Sequence, residues 1–373
     1  AQSPLSAAGS APTQRPQPET DELLVDMVAR EIRRHGDYYG VQMLLGALRQ
    51  WQPEYHFPRR AVAAAAATLR PSAYNARRDW ATLRLERRHY HAEYFGYSWH
   101  MDLTCKLAAY GIYLGFIIDG DSRMVIHATV MPDKSALRVY EELLRPALSL
   151  WAFPDQLVTD QGEEWRLCIF VCFFVWWVTG RATPTGRIPH KVVPSTANQR
   201  VERFNYEPNM RVLSWCRAFI NFLEASGMHD PSSVMHVRAV QALLLPIIRH
   251  GVVLLALAWN QHRVKNIPYR PKSGGVPLRR MVDRPHPGGQ LTLACARGAF
   301  DHPGDEARAY HHHVGRQLPP AALLPGAEQP LHERCCAAMQ QHVGDTSAAW
   351  ECLIAQDFTS LVAGYLAYLQ TAR

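Results

Sequence analysis

The chain has 373 residues, with 40 Lys and Arg against 33 Asp and Glu for a formal charge of +7; 47% of it is hydrophobic and 20% charged. That is ordinary globular usage, which excludes a disordered, collagenous or coiled-coil chain for the bulk, and the length allows two or three domains. The apolar run 167–178 falls short of the ~20 residues a bilayer requires, and 239–259 is interrupted by Pro246, Arg249 and His250, so a soluble protein with no membrane partner is predicted.

The charge is uneven. Between Met27 and His100 there are twelve Arg against six acids, whereas Pro285–Arg373 holds five Arg against eight acids. A basic stretch beside a globular core is the electrostatic footprint of a polyanion partner, although a solvated helix face carries the same charge. The eight cysteines are scattered with one vicinal pair, which argues for a reducing compartment over a disulfide framework.

Residues 1–20, rich in Pro, Ser, Ala and Gln, read as a disordered leader. Leu23, Leu24, Met27, Val28 and Ile32 recur at helical spacing up to a stop at Gly36. A second helix is predicted from Val41 to Trp51, and a third through the Ala-rich run 61–69. Residues 21–89 therefore form a helical, basic segment, either helix-turn-helix-like or a spacer packed on the next domain. The runs 97–103, 111–118 and 124–130 are β-rich, the last two joined by Asp119-Gly120-Asp121-Ser122-Arg123, which is turn chemistry. A helix over 134–150 and a short strand at 156–159 follow, so residues 90–285 are read as a mixed α/β sheet. Helices are predicted over 199–225 and 232–258. A Pro/Gly-rich segment spans 268–289, and 286–373 reads as an irregular, mildly acidic tail with a helix over 348–369.

Three acids sit where chemistry would want them. Asp102 lies inside the first strand, where a carboxylate among apolar neighbours needs a partner. Asp160 follows directly on a strand, at the carboxyl end where open α/β sheets build sites. Glu202 lies in the first turns of a helix flanked by Arg200 and Arg203. Carboxylate oxygens are the donors Mg²⁺ and Mn²⁺ prefer, and three of them can hold two ions for in-line displacement at a phosphodiester. Asp160 also suits a helix N-cap, Glu202 an ion pair with its Arg neighbours, and Asp119 and Asp121 suit turn formation. His311, His312 and His313 with Cys335 and Cys336 lack zinc-ligand spacing.

The segments Trp99-His100-Met101-Asp102-Leu103-Thr104, Asp119–Arg123, Pro154–Trp165 and Ser195–Asn205, in this order, resemble the integrase core of retroviral-type integrases and related transposases. The similarity extends from Tyr90 to Met281 and includes Ala258-Trp259-Asn260-Gln261-His262; it is greatest to eukaryotic, transposon-derived proteins that carry this core. Upstream, residues 39–69 are similar to the helix-turn-helix segment that often precedes it. The resemblance implies a ribonuclease H-like α/β fold, a mixed five-stranded sheet flanked by helices. It implies Asp102, Asp160 and Glu202 as the catalytic triad holding two Mg²⁺ or Mn²⁺ ions, with Lys191, Asn198, Gln199, Arg200 and Arg203 along the DNA-facing side. It further implies a nuclear protein that integrates DNA as a homo-oligomer. The alternatives are a domesticated, inactive nucleic-acid-binding protein and a ribonuclease H-type nuclease. The sequence departs from the family at 167–178, where a short polar helix and loop is expected; the apolar run there reads as a buried strand, a helix or a frame-altered stretch.

Overall fold

The computed structural model describes residues 16–74, 90–180, 186–194, 198–264, 274–296, 300, 302, 304–316, 318 and 328–372. Most of the expected leader and the arginines at 77, 78, 84, 87 and 88 lie outside them. The β-rich runs form β1 (Trp99–Leu107), β2 (Ile112–Asp119) and β3 (Val125–Met131). With β4 (Leu157–Thr159) and β5 (His190–Val192) they make a five-stranded sheet in the order β3-β2-β1-β4-β5. β1 is antiparallel to β2 and parallel to β4, and β4 is parallel to β5. The mixed α/β fold expected from the sequence is therefore present, flanked on both faces by helices.

The period-2 pattern sorts the strands between two apolar clusters. Trp99, Met101, Ile117, Ile126 and Leu157 face one side, and Ile112, Leu114, Phe116, Ile118 and Val130 the other. The first side is covered by α4, a continuous helical run built from Ala136–Val139, a π-helical turn Tyr140–Leu144 and Arg145–Trp151. It is completed by α5 (Arg166–Thr179), which is the apolar run of the sequence. Leu167, Cys168, Val171, Cys172 and Val175 of α5 are buried in this cluster, so the run is a core helix.

The second side is built on a larger scale. It carries α6 (Gln199–Arg211), α7 (Leu213–Ala225) and α8 (Val234–Gln261). The single helix expected over 199–225 is two, broken at Val212 (φ −120°, ψ −60°). Pro208, with no N–H to donate, weakens the last turn before that break. α8 runs through Pro246 and Gly251, and by length and composition it could cross a bilayer, contrary to the reading that its interruptions exclude this. It is instead the central helix of the fold. Arg249 donates to the Val130 carbonyl (2.9 Å), the Trp259 indole to the Arg123 carbonyl (2.8 Å), and Asn260 bonds both polar groups of the Val125 backbone (2.8 and 3.0 Å). The Ala258–His262 motif thus pins the helix to the β2–β3 hairpin.

The three N-terminal helices α1 (Asp21–His35), α2 (Val41–Trp51) and α3 (Arg59–Leu69) join this second core. Thr20 caps α1 by accepting from the Leu23 N–H (3.1 Å), and Gly36 ends it at φ +72°, a conformation that favours glycine. α2 lies so close to α8 that any Cβ at Gly46 would collide with the Ala258 carbonyl oxygen. α2 is packed on α8, and Arg59 and Arg60 at the start of α3 stay exposed.

After α9 (Pro277–Asp283) and α10 (Asp305–Val314) come α11 (Gln329–Val343), α12 (Thr346–Ala355) and α13 (Thr359–Ala372). Residues 286–373 are thus more helical than expected, and the helix read over 348–369 is broken at Gln356, which adopts φ +58°. Cys335, Met339, Trp350, Leu361 and Tyr365 are buried in the same cluster as α1, α2 and α8, and the Trp350 indole donates to the Arg34 carbonyl (2.7 Å). The C-terminal helices belong to the core.

Candidate active site

Sheet register creates the site. Trp99 pairs with Leu157 and His100 with Val158, so continuing this parallel register by two residues sets Asp102 beside Asp160. Asp102 shares its face of β1 with His100 and Thr104, the face on which α6 packs. α6 is seated by Val201 and Phe204, both buried; the Phe204 ring lies 5.1 Å from Phe116 and 5.0 Å from Trp259. Glu202 and Asn205, one helical turn apart, flank this buried ridge. Asn205 donates from Nδ2 to Asp102 Oδ2 at 2.5 Å, which joins α6 to β1 at the carboxylate.

Asp102 senses both of the other acids. Burial raises the Asp102 carboxyl to about 7, and the negative charges of Asp160 and Glu202 push in the same direction; hydrogen bonds from the Leu103 N–H (2.9 Å) and Asn205 oppose the rise. Asp160 accepts at Oδ1 from the Trp165 indole N–H (2.7 Å). The site therefore favours whatever removes negative charge, a proton or a cation.

That donor set, three half-buried carboxylates with oxygen ligands only, suits Mg²⁺ or Mn²⁺ in chemistry and in charge. Among the described residues, however, no three His, Cys, Asp or Glu side chains are grouped to hold a metal ion as they stand. Asp102 Oδ2 accepts from Asn205 and Asp160 Oδ1 from Trp165, which leaves each of these oxygens a lone pair for an ion. Glu164, near the site and 17% exposed, pairs with Lys134 at 3.4 Å. Sequence reasoning missed Asn205, Trp165 and Glu164. The spacing of Asn205 three residues after Glu202 was the available signal for the first, since residues i and i+3 share a helix face.

The residues assigned to the DNA-facing side divide. Lys191 is exposed on the edge strand β5, and Arg203 is exposed while pairing with Glu207 at 2.7 Å. Arg200 stacks on the Tyr90 ring with 4.1 Å to its centre. Arg187, which the sequence reading passed over, stacks on Tyr97 at 4.1 Å and donates to the Tyr97 carbonyl. Arg200, Arg187 and Lys191 all act on His100, so they form one basic neighbourhood beside the carboxylates. The side chain of Gln199 lies outside the described residues.

Asn198 belongs elsewhere. It is 1% exposed, its Oδ1 accepts from His100 (2.7 Å) and its Nδ2 donates to the Met101 carbonyl (3.0 Å), so the structure puts it inside the fold and off the surface the resemblance gave it. Burial lowers His100 to about 4, so its ring is neutral at ordinary pH. Because Asn198 Nδ2 donates to Met101, Oδ1 is the atom facing His100; Nδ1 must then donate and Nε2 must accept from the Tyr90 hydroxyl (2.7 Å).

Of the two turn acids only Asp119 caps the turn with its side chain; that of Asp121 pairs outside it. Asp119 is buried and accepts from the Gly96 N–H (2.8 Å), the Ser122 N–H and the Ser122 hydroxyl (both 2.7 Å); burial holds it at about 6. Asp121 is bound by Arg280 (2.6 and 3.0 Å) and Arg284 (2.8 Å), fastening α9 to the hairpin. His311–His313 lie on α10 and Cys335 and Cys336 on α11.

Comparison with protein families matches residues 89–271 to the integrase core domain. No curated protein matches the chain.

Proposed function

Over residues 89–271 this chain belongs to the integrase core family, and on that premise we propose that it cuts and joins DNA by phosphodiester cleavage and strand transfer. The observation that carries the reading is the convergence of Asp102 on β1, Asp160 at the end of the neighbouring parallel strand and Glu202 on α6, close enough for the last two to raise the first. Asp102, Asp160 and Glu202 would hold the divalent ions. Such ions, when bound, activate an attacking hydroxyl and stabilise the leaving oxygen.

The remaining chemistry belongs to the chain. Asn205 and the Leu103 N–H orient the Asp102 carboxylate, and Trp165 orients Asp160. Arg187, Lys191, Arg200 and Arg203 line the approach with positive charge, which draws a polyanionic backbone toward the acids. We take the chain to be of transposon origin, to act in the nucleus and to work as a homo-oligomer, because two DNA ends must be joined together.

The test is supercoiled plasmid and end-labelled duplex DNA incubated with the full chain in Mg²⁺ or Mn²⁺. Metal-dependent nicks or branched strand-transfer products that vanish in Asp102→Asn support the reading; products unchanged in that variant refute it. A second reading, a nucleic-acid-binding protein that no longer turns over, draws on the hydrogen bonds that occupy Asp102 and Asp160. Its signature is salt-sensitive DNA binding with no metal-dependent product.

A further inference from the structure

The start of α6 is fastened to β1 through side chains that the triad does not include. Asn198 is the residue before α6, a position where an Asn side chain ordinarily caps the helix by accepting from its first N–H groups. Here it makes no such cap. Its side chain is diverted to the sheet, with Nδ2 on the Met101 carbonyl at 3.0 Å and Oδ1 on His100 at 2.7 Å, while its backbone carbonyl accepts from the Glu202 N–H at 3.1 Å. His100 and Met101 immediately precede Asp102. Two bonds from one side chain fix both the height and the rotation of the first turn of α6 against the segment of β1 that carries the acid.

The far side of His100 is equally tied. Its Nε2 meets the Tyr90 hydroxyl at 2.7 Å, Tyr90 meets Ser98 Oγ at 2.8 Å, and Arg200, on the same turn as Glu202, lies over the Tyr90 ring. His100 is 4% exposed and Asn198 1%, so water does not substitute for a lost partner at low cost.

We propose that His100 and Asn198 are positioning residues of the carboxylate site, which set Glu202 against Asp102 by clamping the first turn of α6 to β1. The proposal rests on the reading of Asp102, Asp160 and Glu202 as a divalent-ion site. Three substitutions separate positioning from simple folding. Asn198→Ser supplies a good helix cap but cannot span to both Met101 and His100. His100→Gln keeps one donor and one acceptor, whereas His100→Ala keeps neither.

The experiment is calorimetric titration of Mn²⁺ into the full chain, with backbone amide hydrogen exchange of the same proteins recorded without Mn²⁺. Asn198→Ser and His100→Ala are expected to weaken Mn²⁺ by roughly 10- to 100-fold, the range for displaced supporting partners, and His100→Gln by less than about 3-fold. Exchange is expected to speed up near the start of α6, at residues 201–204, in the two weakened variants and not in its last turn. Wild-type affinity in Asn198→Ser, or equal loss in His100→Gln and His100→Ala, overturns the proposal. If the wild type itself binds no Mn²⁺, the metal reading fails, and the exchange data decide alone: faster exchange confined to residues 201–204 upholds the clamp, and unchanged exchange removes it.

Discussion

Asp102→Asn should stabilise the fold at alkaline pH while abolishing its chemistry. Burial, reinforced by Asp160 and Glu202, lifts the Asp102 carboxyl from 3.8 to about 7. A carboxyl raised in the folded state contributes stability that is fully present below its unfolded value near 3.8 and is lost as pH rises through about 7. The interval between those two values corresponds to roughly 4 kcal/mol at most. Water reaches part of this half-buried site, so roughly 1–3 kcal/mol is the expected penalty at pH 8. The substitution removes the charge. Its new amide also finds an acceptor, because Asn205 Oδ1 is buried without a hydrogen bond and the Asn205 amide can turn to present it. Thermal unfolding in a chelator should give the variant a melting temperature roughly 1–4 °C above wild type at pH 8, at about 1.3 °C per kcal/mol for a chain of 373 residues. The gap should narrow to roughly a third at pH 5 and close only below about 3.8, where the unfolded carboxyl is protonated as well. A variant equally displaced at both pH values, or less stable at pH 8, would refute the argument that burial and the neighbouring acids raise the Asp102 carboxyl.

Other outcomes follow from the same contacts. Gly46→Ala sets a methyl against the Ala258 carbonyl and should destabilise the chain by roughly 1–3 kcal/mol in denaturant unfolding despite the better helix propensity of alanine; no change would mean that α2 does not lie this close to α8. Arg280→Met strips the main partner from buried Asp121 and should cost about 3 kcal/mol, whereas Arg280→Met combined with Asp121→Leu should recover most of it. Lys191→Ala should weaken DNA binding about equally across sequences and lower the log–log salt slope by about 0.9, while a loss restricted to certain sequences would count against a phosphate contact. Trp165→Phe keeps the buried ring and removes the donor to Asp160, so its metal-dependent nicking should change at nearly constant melting temperature; unaltered nicking would show that this hydrogen bond does not orient the acid.

Strand alternation, the Asp-Gly turn and the three acids were legible because each is a local pattern: period 2, turn chemistry, or a charge in an apolar run. β5 was not, since three residues with two exposed carry no periodicity, and its strand state comes from pairing with β4. The break at Val212 was signalled by Pro208 and overlooked in a long helical pattern. The C-terminal helices were missed for another reason: much of their stabilisation comes from burying Trp350, Leu361 and Tyr365 against helices about a hundred or more residues upstream, and a reading of local spacing gives no weight to such contacts. Asn198 shows the same limit at the site. Its sequence neighbours are basic and its place before a helix suggests a cap or a surface contact, yet its hydrogen bonds go to residues nearly a hundred positions away.

These misses share a physical consequence for how the site is held. Asp102 and Asp160 are fixed by the sheet, where backbone register leaves little freedom, whereas Glu202 rides on a helix whose orientation depends on side chains at both ends. At its start α6 is clamped by Asn198 to β1. Toward its end Glu207, buried, pairs with Arg203 (2.7 Å) and Arg211, and the Arg211 guanidinium lies 5.0 Å from the centre of the Tyr39 ring between α1 and α2. The N-terminal helices therefore brace the helix that carries the third acid, and they are in turn gripped by α8 and the C-terminal helices. The two carboxylates that have to move least are set by the strands, and the one most open to adjustment is set by the Asn198 clamp inside the matched core and by the Tyr39 contact outside it.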